Sequence, residues 1–75
     1  MTPADLDRVA ALLYGPRWQT ALAAALGTNE RVVRYWIAGE RPIPERVRGE
    51  VVALLLKRRD ALDRKIAALK ASPAG

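Results

Sequence analysis

Gly27 is the residue that most constrains this chain. It separates an alanine-rich stretch, Ala21-Leu22-Ala23-Ala24-Ala25-Leu26, from a stretch crowded with arginines and aromatics, Glu30-Arg31-Val32-Val33-Arg34-Tyr35-Trp36. Apolar residues recur at helical spacing on both sides. Glycine takes φ > 0 without steric cost, so one helix can end here and another begin after a sharp turn. Thr28 or Asn29 then caps the new helix. Ala23, four residues before Gly27, is small enough for a neighbouring helix to cross closely. The pattern predicts two short helices in contact rather than one long one.

The rest of the chain divides in the same way. Thr2-Pro3-Ala4-Asp5 is a helix start, with Thr2 as N-cap, Pro3 in the first turn and Asp5 near the positive helix end. Leu6, Val9, Ala10 and Leu13 form one apolar face. Gly15, in a left-handed cap, and Pro16 stop that helix. A second helix is expected over Arg17–Leu26, with Trp18, Leu22 and Leu26 on one side. A third reaches Ala38 and stops at Gly39. Glu40–Ile43 is a loop held by Pro42 and Pro44, and from Pro44 the helical pattern continues to Ala71. The run Val51–Leu56 could be a strand in isolation, but flanking charges at helical spacing and the absence of breakers favour helix. Ser72-Pro73-Ala74-Gly75 is expected to be a frayed tail.

Composition narrows the partners. A chain of 75 residues is expected to form one domain, and one this short buries limited surface, so oligomerisation would help it. A net charge of +5 and a pI near 10.5 favour an anionic partner. With no Cys and no His, disulfides, the usual zinc sites and the commonest general base are absent. No metal, cofactor or small-molecule ligand is expected. No apolar run approaches the roughly 20 residues of a membrane span. Asp5 and Asp7 precede any apolar stretch, unlike a signal peptide. A cytoplasmic protein is the expectation.

The third helix has two different faces. Val33, Trp36 and Ile37 should pack back on Leu22, Leu26 and the first helix. Glu30, Arg31, Arg34 and Ala38 lie opposite, with Asn29 and Tyr35 at the edges. A helix so built is anchored on one side and presents basic and polar groups on the other, and the DNA major groove accepts a helix of that width. Each feature also has a plainer meaning. Trp18 and Trp36 are core candidates, Tyr14 a core-edge aromatic, and Arg46 and Arg48 a solvated face. Glu30 could simply pair with Arg34 at i, i+4.

The stretch Gln19–Ile37, with Gln19, Ala23, Leu26, Gly27, Val33 and Trp36 in register and "GERPIP" after it, resembles the helix-turn-helix of the Cro/lambda-repressor-like DNA-binding proteins. The resemblance covers residues 17–48. It implies a small bacterial or phage transcriptional regulator that binds double-stranded DNA. Asn29, Glu30, Arg31, Arg34 and Tyr35 occupy the stretch that reads bases in that family. Arg31 and Arg34 can fork onto guanine, Asn29 can pair with adenine, and Glu30 can accept from cytosine N4. Arg17, Gln19, Thr28 and Arg41 are placed for phosphate. The departure is the C-terminus, where such domains usually finish with two short helices.

This chain instead continues as one long helix. Val52, Leu55, Leu62, Ile66 and Leu69, with Arg59 in the same series, form a short heptad seam. The expectation is an all-α four-helix bundle with a helix-turn-helix in a core of residues 1–48. Residues 49–71 would complete that core and dimerise, and residues 72–75 would be a flexible tail. The expected function is repression from an inverted-repeat operator bound by a homodimer. The alternative is a protein-interaction module, antitoxin-like or adaptor, whose long helix binds a partner chain. An enzyme is disfavoured, because there is neither a glycine-rich phosphate loop nor a metal cluster in the sequence.

Overall fold

The computed structural model describes residues 1–72. These form four helices and no strand: α1 (Pro3–Tyr14), α2 (Gln19–Ala25), α3 (Glu30–Ala38) and α4 (Glu45–Ala71). The run Val51–Leu56 is helical. Of the expected tail, Ser72 ends α4 in an extended conformation, and Pro73, Ala74 and Gly75 lie outside the described residues.

α1 starts on a reciprocal cap. The Asp5 N–H donates to the Thr2 hydroxyl (3.1 Å), and the Thr2 N–H donates to the Asp5 carboxylate (3.0 Å). The backbone N–H of Thr2, with its hydroxyl adding to the effect, holds the Asp5 carboxyl below its ordinary value of 3.8. A lowered folded pKa stabilises above that ordinary value, and the contribution is lost as the pH falls through the folded one.

Gly15 ends α1, but in a different conformation from the expected left-handed cap. Its φ is +84° and its ψ is −168°, an extended region essentially restricted to glycine. Pro16 is the reason, because a residue before proline is pushed towards extended ψ. The resulting turn also shortens α2 against expectation. Arg17 belongs to the turn and Gln19 is the first helical residue. Trp18 dictates this start: it is 3 % exposed, and its indole N–H donates to Asp7 of α1 at 3.1 Å.

α2 and α3 are joined as the glycine predicts. Gly27 has φ +67°. Its N–H donates to the Ala24 carbonyl and the Thr28 N–H to the Ala23 carbonyl, two bonds that close the end of a helix around a left-handed residue. Asn29, not Thr28, caps α3, its side-chain oxygen accepting from the Val32 N–H at 3.0 Å. Gly39, at φ +76°, closes α3 with a similar pair of bonds to Trp36 and Tyr35.

The core is small and wholly apolar. It joins Leu6 and Ala10 of α1, Trp18, Leu22, Ala23 and Leu26 around α2, Val33 and Trp36 of α3, and Val47 and Val51 of α4. Val9, Tyr14 and Ile37 are partly buried against it. Only the first part of α4 belongs here. Leu54 and Leu55 are half-buried, and every residue from Leu56 to Ala71 is exposed. The 27 residues of α4 span about 40 Å. The radius of gyration is therefore 15.2 Å, against about 11 Å for a compact chain of this length.

A Cβ added at Gly27 would meet no atom within 4 Å, so a substitution there is strained only by its positive φ. Gly27→Ala should lower unfolding free energy by about 1–2 kcal/mol, and Gly27→Asn by less, because asparagine tolerates that region. Urea denaturation followed by circular dichroism measures both, and an Ala variant as stable as the parent would contradict the strained turn.

Candidate nucleic-acid interface

α3 is held by Val33 and Trp36, 0 % and 3 % exposed. A helix advances about 100° per residue, so burying these two turns Arg31, Arg34 and Ala38 outwards. All three are exposed, and the Arg34 side chain retains 65 % of its surface. Asn29 is exposed at the helix start, while Glu30 and Tyr35 are half-buried at the edges.

The carboxylate of Glu30 is already engaged. It accepts from the Thr20 hydroxyl at 3.1 Å and lies 3.6 Å from the Arg34 guanidinium. The first contact ties the N-terminal turns of α2 and α3 together, which brings Gln19 and Thr20 beside the start of α3. The second is an exposed i, i+4 pair, worth about 0.3–0.5 kcal/mol, so Arg34 can exchange it for a stronger acceptor. The Asn29 oxygen is likewise committed to its cap, which leaves the amide N–H groups and one lone pair for a ligand.

Two further cations flank the helix-turn-helix pair, one before α2 and one after α3. Arg17 is exposed in the turn before α2. Arg41, in the loop after α3, places its guanidinium 4.4 Å from the centre of the Tyr35 ring. Such stacking contributes about 0.5–1 kcal/mol at an exposed site, and it fixes the loop arginine against the helix. The Thr28 N–H is bonded to Ala23, so a phosphate contact at Thr28 falls to its hydroxyl. Glu40 interrupts the basic strip and is exposed. Arg46 and Arg48 form a solvated face, Arg46 pairing with Glu50 at 2.9 Å.

Thr20 was not a sequence candidate. Its role depends on a bond to a residue ten positions away on another helix, which no local pattern reveals. Arg58 is a second case. Its guanidinium donates to the Leu13 carbonyl at 3.2 Å, satisfying a terminal carbonyl of α1 with a cation at the negative helix end.

The seam residues of α4 follow the core outwards. Leu55 is half-buried, Val52, Leu62, Ile66 and Leu69 are 47, 51, 49 and 69 % exposed, and Arg59 is exposed, 3.9 Å from Asp60. No helix among the described residues is long and apolar enough to cross a membrane. No group of three or more Cys, Asp or Glu side chains among them is placed to hold a metal ion. No model of a known protein family matches the chain, and neither a curated protein nor a solved structure does.

Thr20→Val removes the tie between the two helix starts at nearly constant volume. It should lower stability by about 1 kcal/mol. Chemical denaturation of Thr20→Val, Glu30→Ala and the double variant, each against the parent, measures the coupling, and fully additive effects would mean that the two side chains do not interact.

Proposed function

We propose that this protein is a sequence-specific double-stranded DNA-binding transcriptional regulator of helix-turn-helix type, acting as a homodimeric repressor on an inverted-repeat operator. The reading is carried by one observation: α3 is buried through Val33 and Trp36 and turns Arg31 and Arg34 outwards on the opposite face. In this reading α3 enters the major groove. Arg31 and Arg34 fork onto guanine O6 and N7, and Asn29, Glu30 and Tyr35 flank them. Arg17, Gln19, Thr28 and Arg41 meet phosphates on either side and set the register. In this reading repression works by occlusion of polymerase from the bound operator. As a bacterial or phage regulator, which the resemblance implies, it acts in the cytoplasm.

The exposed half of α4 also supports a second reading, a module that binds another protein through that helix. Copurification with a partner and no sequence-dependent DNA binding would favour it. Selection of bound sites from random duplex DNA, followed by gel-shift titration at several salt concentrations, tests the first reading directly. Failure to enrich any sequence would reject it.

Two variants divide the strip by role. Arg34→Ala should weaken binding to the selected site by about 1–3 kcal/mol and relax preference at one base pair of each half-site. Arg41→Ala should weaken all sequences alike and reduce the slope of log affinity against log salt by about 1, because one phosphate contact fewer releases fewer counterions. Uniform loss in the first variant, or an unchanged slope in the second, would reject the corresponding role.

A further inference from the structure

The seam on α4 continues onto α1. Leu12, 76 % exposed at the end of α1, lines one groove with Leu55, Arg59 and Leu62. A contiguous apolar strip of this kind, rimmed by charge, marks an interface. Its two rows are Val52, Arg59, Ile66 and Leu55, Leu62, Leu69.

We infer that a second copy of this chain covers the strip with its α4 antiparallel, the two-fold axis crossing each helix between Asp60 and Ala61. In that register every seam position finds a mate. Val52 faces the partner's Leu69, Leu55 the partner's Ile66, and Arg59 the partner's Leu62, and each pair recurs by symmetry. Leu12, beside Leu62 and Arg59, comes against the partner's Leu62.

Charge selects this direction. A parallel pair in register would set Arg59 against the partner's Arg59 in the middle of the seam and Lys65 towards the partner's Lys70. The antiparallel pair lays the apolar stem of Arg59 on the partner's Leu62 and brings its guanidinium level with the partner's Asp63. It also brings Arg58 towards the partner's Lys65, but the Arg58 guanidinium is drawn towards α1 by the Leu13 carbonyl.

The pairing stands on the seam, and only its consequence for DNA rests on the proposed function. Each body is anchored to α4 at Val47 and Val51. The antiparallel register places the two anchors about 34 Å apart along the helix axis, the spacing of successive major-groove faces on one side of a duplex.

The natural chain has no cysteine, so introduced ones report the register cleanly. Val52 and Leu69 are both exposed, and circular dichroism checks that the variants keep their helicity. Under oxidation, full-length Val52→Cys/Leu69→Cys should become a covalent dimer on a non-reducing gel. Leu69→Cys alone should stay at single mass, its two copies being about 26 Å apart, beyond disulfide reach. Light scattering of the wild type should give the dimer mass. Complete cross-linking of Leu69→Cys alone, no cross-linking of the double variant, or a monomeric wild type would overturn the pairing. A cross-linked double variant that enriches no DNA sequence would support the pairing and remove the DNA reading. A monomer that still selects a single half-site would do the reverse.

Discussion

Burial of Val33 and Trp36 sets the rotation of α3 about its own axis, and the outward surface follows from it. These two side chains lie three positions apart, so one stripe of the helix is committed to the core and the opposite stripe to solvent. Leu22, Leu26 and Trp18 supply the surface they pack on, and Ala23 is buried where α2 and α3 meet. Loosening that contact would let α3 roll and turn Arg31 and Arg34 off the face they now present. The core is small enough for this to matter. A chain of this length has only about 4–11 kcal/mol of net stability, and one large-to-small change at Leu22 would remove about 2–5 of it.

The glycine turns make that contact possible. Gly27 returns the chain within two residues of the end of α2, so α3 starts while α2 is still alongside. The Thr20–Glu30 bond then joins the two helix starts, and the Tyr35–Arg41 stack holds the loop at the other end. Polar groups at this surface thus serve the fold as well as any ligand. Glu30 and Asn29 in particular are spent partly on positioning, and Arg34 and Arg31 are left as the least committed groups on the face.

The division into four helices was legible because its signals are local. Thr2 with Asp5, Gly27, Asn29 and Gly39 each act within a few residues of themselves, and the two faces of α3 follow from residue spacing alone. Where the structure differs from the sequence pattern, a distant partner or, at Gly15, the adjoining proline decides the geometry. Trp18 enters the core and binds Asp7, eleven residues away, and so moves the start of α2 past Arg17. Pro16 changed the conformation of Gly15 from the expected cap. Arg58 reaches a carbonyl 45 residues earlier in the chain. On the candidate surface, exposure was readable from periodicity. The engagement of Glu30 by Thr20, and of Arg41 by Tyr35, was not, since each depends on how two elements meet. The place of Leu12 in the seam is likewise set by fold alone, because its neighbours on α4 lie more than forty residues away in sequence.

The long reach of α4 has a thermodynamic consequence. Its distal half, from Leu56 to Ala71, has no buried side chain to hold it, so beyond the Arg58 bond to Leu13 its helicity in a lone chain rests on backbone hydrogen bonds and neighbouring side chains. Winding a helix on past its packed part needs no new nucleus but gains little free energy per residue. In the proposed pairing, a second copy laid along the seam would stabilise only the helical form, so winding of the distal half and association would become one linked equilibrium. By mass action the helix content of such a dimer-forming protein would then rise with its concentration. Under that pairing the length of this ordered segment would be a property of the population rather than of the single chain.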